Sequence, residues 1–307
     1  MENHTLPGEF HIDPFFFKSK NKFFILFYFV QIYLLGITWN GGIILVVYFT
    51  TTLHTPMYLF LTNLSFLDIC YTTITIPKLM VILLSGNKAV TIKQCFTQLY
   101  FFVLMASTEI VLLTSMAYDR YVAICEPLHY QSIMNKQNCS LILMISWIFG
   151  SLNSLFITVL ASTVSWCGSK DIHQFYCDIK AIYKISCNNA RLKVAIYFDS
   201  FFIGVLPFLI SLISYIKIIK VILLFASKGG RKKAYSTCSS HLTVLLSFYA
   251  TGVCVYLNPP TENPEEIEQI FTLIYTTVTP VLNPLIYTLR NTEVKVALVK
   301  LIGNKNK

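Results

Sequence analysis

Asp119 and Arg120 form an adjacent acid–base pair between two tyrosines, in the run Met116-Ala117-Tyr118-Asp119-Arg120-Tyr121-Val122-Ala123-Ile124-Cys125 that ends a long apolar stretch. One charge at the centre of a bilayer costs about 2.5–3.5 kcal/mol on insertion scales. Such a pair belongs at a membrane face, where a switch can hold it or release it. A second polar set lies deeper in apolar runs: Asn40, Asp68, Glu109 and Asn283. Turned inward together, these can share a proton, water or a cation such as sodium, or form a static hydrogen-bonded plug. Asp199 stands alone about two turns before Pro207. It can face a ligand cavity and meet a donor or a cation, pair with Lys193, or reach headgroups and bulk water.

The cysteines carry the next signal. Of nine, Cys167, Cys177 and Cys187 fall ten residues apart in one loop, and Cys95 opens an apolar run on the same side. Four cysteines on one face permit two bridges in an oxidising compartment, with three connectivities open. Cys70, Cys125, Cys139, Cys238 and Cys254 read as small packing residues. No Cys/His grouping has zinc spacing, so no metal is expected. Asn3-His4-Thr5 is a glycosylation sequon in the N-terminal tail; Asn63-Leu64-Ser65 and Asn138-Cys139-Ser140 match it too, but within a span or on the inner face. Neither a nucleophile–base arrangement nor a phosphate loop is present, so neither an enzyme nor a cofactor is expected.

The elements that must position these groups follow from composition. Of 307 residues, 55% are hydrophobic and 13% charged, against about 25% charged in a soluble domain. Apolar spans run near Phe23–Phe49, Met57–Leu84, Gln98–Ala117, Ser140–Ser165, Val194–Tyr215, His241–Leu257 (extended back through Ala234) and Ile270–Leu289, about the 20 residues that cross the hydrocarbon. The expectation is an all-α membrane protein: a bundle of seven transmembrane helices in one domain over 1–307, with a short amphipathic helix after the last span. The net charge of +9 is then a membrane-surface property; lipids are partners and nucleic acid is not. Orientation by basic residues is mixed. Lys228, Arg231, Lys232, Lys233, Arg290, Lys295 and Lys300 put the C-terminus in the cytoplasm, whereas Lys18, Lys20 and Lys22 argue the reverse; the cysteines favour the first. Pro280 and Asn283-Pro284, with Tyr287 a turn on, mark a kinked and movable seventh helix.

Several ordered motifs together resemble the olfactory receptors, a branch of the rhodopsin-like G-protein-coupled receptors. They are Leu53-His54-Thr55-Pro56-Met57-Tyr58, Leu64-Ser65-Phe66-Leu67-Asp68, Ile76-Pro77-Lys78, the Met116–Cys125 run, Ser214-Tyr215, Lys233-Ala234-Tyr235-Ser236-Thr237-Cys238-Ser239-Ser240-His241, and Pro280 to Tyr287 followed by Leu289-Arg290-Asn291. The three loop cysteines resemble the tetrapod-type, class II branch. Departures are Trp39 before Asn40 where glycine is usual, Ala250 after Phe248-Tyr249, Lys180-Ala181 where two prolines are common, and the segment Phe10–Tyr28.

The resemblance implies bridges Cys95–Cys177 and Cys167–Cys187, an extracellular tail over 1–22 bearing Asn3, and a cytoplasmic tail over 290–307 in the plasma membrane. It also implies an agonist cavity in the outer half of the bundle. Helical spacing offers Phe102, Val103, Ala106, Ser107, Asp199, Ile203, Tyr249, Val253, Tyr256 and Thr276 as its lining, suited to a small volatile or hydrophobic ligand. The coupling set is Asp119, Arg120, Tyr121, Tyr215, Asn283, Pro284 and Tyr287, acting on a stimulatory, olfactory-type G protein that raises cyclic AMP. A receptor of the same fold for a non-odorant ligand is the competing reading. A channel or transporter using Asp68 and Glu109 is a weaker one, because no inverted repeat is present.

Overall fold

The computed structural model describes residues 8–18, 21–167, 170–187, 189–224, 228–256, 264–290 and 292–303. Seven long helices make up the bundle: α1 (Lys22–Phe49), α2 (Pro56–Ser85), α3 (Ile92–Cys125), α4 (Lys136–Ser162), α5 (Ala190–Leu224), α6 (Lys228–Tyr256) and α7 (Pro264–Leu273, continued through Ile274–Val278 to Thr279–Arg290). A shorter helix, α8 (Thr292–Gly303), follows. Six of the seven are long and apolar enough among the described residues to cross a membrane, α6 being the exception. The helices outrun the apolar spans at most ends, because the polar turns that flank a span still satisfy their backbone groups best as helix. α6, for example, begins at Lys228, ahead of Ala234.

Local chemistry fixes the ends. Pro56 occupies the first turn of α2, where its missing N–H costs nothing, and Gly86 closes that helix at φ 70° with its N–H on the Ile82 carbonyl. Thr91 and Gln94 cap α3 reciprocally, and Asn135 caps α4 through the Asn138 N–H. α5 and α7 each contain a π turn, Ser200–Val205 and Ile274–Val278. Each widened turn shifts the facing of the residues around it, the kind of irregularity common at functional sites.

α3 runs through the centre, against α2, α4, α5 and α6. Its approach to α4 depends on Gly150, where an added Cβ would lie 2.2 Å from Thr108 Oγ1 and 3.1 Å from the Leu104 carbonyl oxygen. Trp39 does not crowd the bundle, as its bulk before Asn40 suggests. It points outward at 37% exposure, and Gly36, three residues earlier, makes the close approach to Thr72 and Val281.

At the end that bears the disulfides, the N-terminal tail is folded. β1 (Glu9–Ile12) pairs antiparallel with β2 (Ala89–Thr91) and parallel with β4 (Asp171–Ile172), while β3 (Ser165–Trp166) pairs with β5 (Ser186–Cys187). Phe10 and Ile12 point inward at 0% exposure, and Phe10 meets the Trp166 ring edge-on at 5.1 Å. Asp13 pairs with Lys88, and the Phe15 N–H donates to Gln269 Oε1 of α7 at 2.8 Å. Part of the segment whose sequence departs most from the family pattern is therefore the centre strand of a three-stranded cap.

Candidate functional site

Three layers of polar or aromatic residues stack along the bundle. At the end opposite the disulfides, the Arg120 Nε donates to Asp119 Oδ2 at 2.8 Å and its Nη2 closes on the same oxygen. Asp119 is wholly buried. Its other oxygen accepts from the Tyr130 hydroxyl at 2.9 Å, delivered by the one-turn helix Tyr130–Ile133 that follows α3. Burial and then the Asp119 charge push the Tyr130 phenol up, so it stays a donor. Sequence reasoning missed Tyr130; the available signal is that a buried carboxylate with one guanidinium still has an oxygen to satisfy. Tyr215 on α5 meets His241 Nδ1 on α6 at 2.5 Å, a partner the sequence did not assign. Tyr121 lies apart from this cluster: its hydroxyl reaches Glu126 at 3.4 Å and Lys217 Nζ sits 5.3 Å over its ring.

Mid-bundle, the Asn283 amide donates to both oxygens of Asp68, at 3.3 and 3.2 Å. Glu109 is 5% exposed and near enough to Asp68 for their charges to repel. Asn40 serves differently. Its amide donates to the Gly36 carbonyl at 3.0 Å and the Pro280 carbonyl at 2.9 Å, stapling α1 to α7 where the proline leaves the ladder irregular. So the four residues are two devices: a carboxyl pair with Asn283, and a helix staple. Pro284 lies buried inside α7; the Tyr287 side chain is outside the described residues.

Between these polar groups and the cap runs an arc of rings. Phe102 lies 4.8 Å from Tyr71, Tyr71 lies 5.7 Å from Tyr275, and Tyr275 lies 5.5 Å from Phe248. Phe248 contacts Tyr249 at 5.5 Å, and Tyr249 contacts Phe208 at 4.9 Å. Such offset and edge contacts add about 0.5–1.5 kcal/mol each beyond burial. The arc links α2, α3, α5, α6 and α7. Only Phe102 and Tyr249 were legible as site candidates. Phe102 also lies against Tyr176 at 4.4 Å, next to the bridged Cys177.

The other lining candidates divide. Ser107 and Ile203 are buried, and Val103 and Ala106 are half-buried on α3. Ser107 Oγ accepts from Asn153 Nδ2 of α4 at 3.0 Å, and Asn153 in turn contacts Asp199. Thr276 is buried, with its hydroxyl committed to the Thr272 carbonyl at 2.8 Å. The side chains of Val253 and Tyr256, like Asn3 and the side chains of Lys228–Lys233, lie outside the described residues.

Over these layers sits the cap. Cys95 is joined to Cys177 and Cys167 to Cys187, with Cα atoms 5.3 and 5.6 Å apart. The two-turn helix Ile179–Ile185 carries Lys180 and Lys184, whose ammonium groups lie 3.1 and 3.2 Å from Glu268 on α7. Asp178 caps that helix through the Lys180 N–H at 3.0 Å, and burial raises its carboxyl above the usual range. Lys180 and Ala181, the departure from the usual pair of prolines, are thus one ion-pair arm and one buried packing residue.

Comparison with known proteins fits this geometry. The olfactory receptor family model matches residues 29–305. The chain is similar to the olfactory receptor-like protein OLF4 of Canis lupus familiaris, 42% identical over 97% of each chain. It is also similar to olfactory receptor 2K2 of Homo sapiens, 42% identical over 98% of this chain and 96% of that one. Its fold is similar to that of squid rhodopsin, with a TM-score of 0.75, 14% identity, and coverage of 91% of this chain and 80% of the other. Proteins of this kind are multi-pass plasma-membrane receptors and not enzymes. The chain belongs to the olfactory receptor family of rhodopsin-like G-protein-coupled receptors.

Proposed function

We propose that this receptor binds a small, mostly hydrophobic odorant in the half of the bundle beneath the cap and activates a stimulatory, olfactory-type G protein, raising cyclic AMP. The whole chain acts as one receptor domain over 1–307, with the cap outside the cell, Asn3 glycosylated and the tail over 290–307 in the cytoplasm. Ligand contacts come from Phe102, Val103, Ala106, Ser107, Asp199, Ile203, Tyr249, Val253, Tyr256 and Thr276. The aromatic arc supports this reading, because it touches every helix that a ligand there would press on except α4.

The observation that carries the coupling step is the Arg120–Asp119–Tyr130 lock at the opposite end. A ligand shifts an equilibrium only by its differential affinity for the two states. Moving the population from 1:99 to 99:1 takes about 5.5 kcal/mol. Ligand pressure on α6 and a hinge at Pro284 and Tyr287 separate Tyr215 from His241. Arg120 then leaves Asp119 and meets the G protein, with Tyr121 at the rim of that contact. Asp68, Glu109 and Asn283 suit one shared proton or a small cation such as sodium, since two adjacent carboxyls cannot both stay charged without one. Asn40 keeps α1 on α7 throughout.

Arg120→Ala is the test. It abolishes ligand-evoked cyclic AMP while an epitope tag still stains on intact cells. Full signalling from the stained variant ends this reading of the lock.

A further inference from the structure

Asp199 is the one acid among the proposed ligand contacts. It closes the first segment of α5, immediately before the π turn Ser200–Val205, one turn from the buried Ile203. Its carboxyl contacts Asn153 of α4, which donates to Ser107 of α3, so three helices contribute to one polar strand across an otherwise apolar wall. Asp199 Oδ1 is buried and has no hydrogen-bond partner. No cation pairs with Asp199 among the described residues, Lys193 included. That disposes of two readings the sequence left open: the carboxyl neither pairs with Lys193 nor spends its Oδ1 on bulk water.

A buried acceptor with no donor is costly, and the cost is greatest when the group is charged. Natural structures keep such an atom where something else supplies the donor. Asn153 of α4, itself bonded to Ser107 of α3, lies beside the carboxyl and brings it no positive charge. The missing complement is thus a donor, best a positive one, on a body small and apolar enough to lie against Ile203 and the α3 wall.

We propose that Asp199 Oδ1 anchors the ligand by its polar head, and that the receptor selects small apolar molecules whose head donates a hydrogen bond, primary ammonium first and alcohol second, over those whose head only accepts. This rests on the odorant-receptor reading above and specifies the ligand class at the same site. Asn153 is a positioning residue beside the carboxyl, and Ser107 in turn holds Asn153.

The probes are unbranched primary amines of four to ten carbons, the matching 1-alkanols and the matching 2-ketones. Binding is read as thermal stabilisation of the purified full-length receptor, and signalling as cyclic AMP in cells with surface staining. Amines stabilise most, alcohols less and ketones least. Asp199→Asn keeps shape and an acceptor oxygen, and weakens amine binding by roughly 10- to 100-fold while sparing alcohols. Asp199→Leu loses the preference for both; should it fail to fold, Asp199→Asn still decides. Ketones that stabilise as well as amines, amines of every length without effect, or amine binding unchanged in Asp199→Asn would each overturn the assignment. Asp199-dependent amine binding without cyclic AMP supports the anchor and overturns the coupling reading instead. Ketone-evoked cyclic AMP equal to that from amines does the reverse.

Discussion

The two ends of the bundle are held by different kinds of bond. The cap is fixed by two disulfides, a three-stranded sheet and ion pairs that converge on Glu268. At the opposite end, side-chain hydrogen bonds join the elements: Tyr130 to Asp119, Tyr215 to His241, and Tyr58 to Glu293 at 2.9 Å. Hydrogen bonds of this kind are reversible at modest cost, whereas the cap is cross-linked covalently. Under the proposed function, a ligand beneath the cap meets a covalently stiffened frame, and the response is expressed where the contacts are reversible. On that reading, covalent constraint sits at the recognition end and reversible contact at the output end.

The comparison can be broken hardest at Cys95. Cys95→Ser with Cys177→Ser removes the link between α3 and the loop, worth up to about 5 kcal/mol in small folded units. No folded receptor should reach the surface, and normal surface staining with normal thermal stability would show the cap to be dispensable. Phe10→Ala empties a fully buried site beneath β1 and should cost about 3 kcal/mol. It is read as a lower melting temperature with signalling retained in the receptor that folds. Tyr130→Phe tests the other end. Losing a donor to a buried carboxylate, about 1.5 kcal/mol, should raise basal cyclic AMP up to tenfold and leave surface staining unchanged. Unchanged basal signalling would mean that the lock does not gate output.

The smallest effect is at Asp178. Burial raises its carboxyl in the folded loop, so the folded state binds that proton more tightly than the unfolded chain does. Its contribution is full below the unfolded value and is lost as pH rises through the folded one. Asp178→Asn should therefore melt slightly later than wild type near neutral pH, and the advantage should vanish in mild acid. A constant difference across that range would show that another group sets the pH dependence.

The apolar runs announced the seven helices, because crossing hydrocarbon leaves the backbone no alternative. Asp119-Arg120 and Asn283-Pro284 were legible for the same reason: charge, amide and proline are conspicuous in apolar sequence. The cap was not. Its strands are two to four residues long and pair across the chain, so no local period identifies them, although the alternation of buried Phe10 and Ile12 with Glu9 and His11 is a strand pattern in retrospect. Tyr130, His241 and Asn153 were missed because their partners sit on other elements. Their side chains are ordinary by type and become informative only by location. Trp39 shows the converse: helical rotation turns a conspicuous residue outward and gives the close contact to Gly36.

The folded tail has a practical consequence for anyone building chimeras. Swapping the leading segment of such a receptor for one that traffics well would withdraw the middle strand of a sheet and two side chains that fill it. Gly8, at φ 116°, turns the chain just ahead of β1 in a backbone shape that other residues rarely adopt. It marks the start of the described cap: a junction placed after it unseats the strand that the rest of the cap is built around.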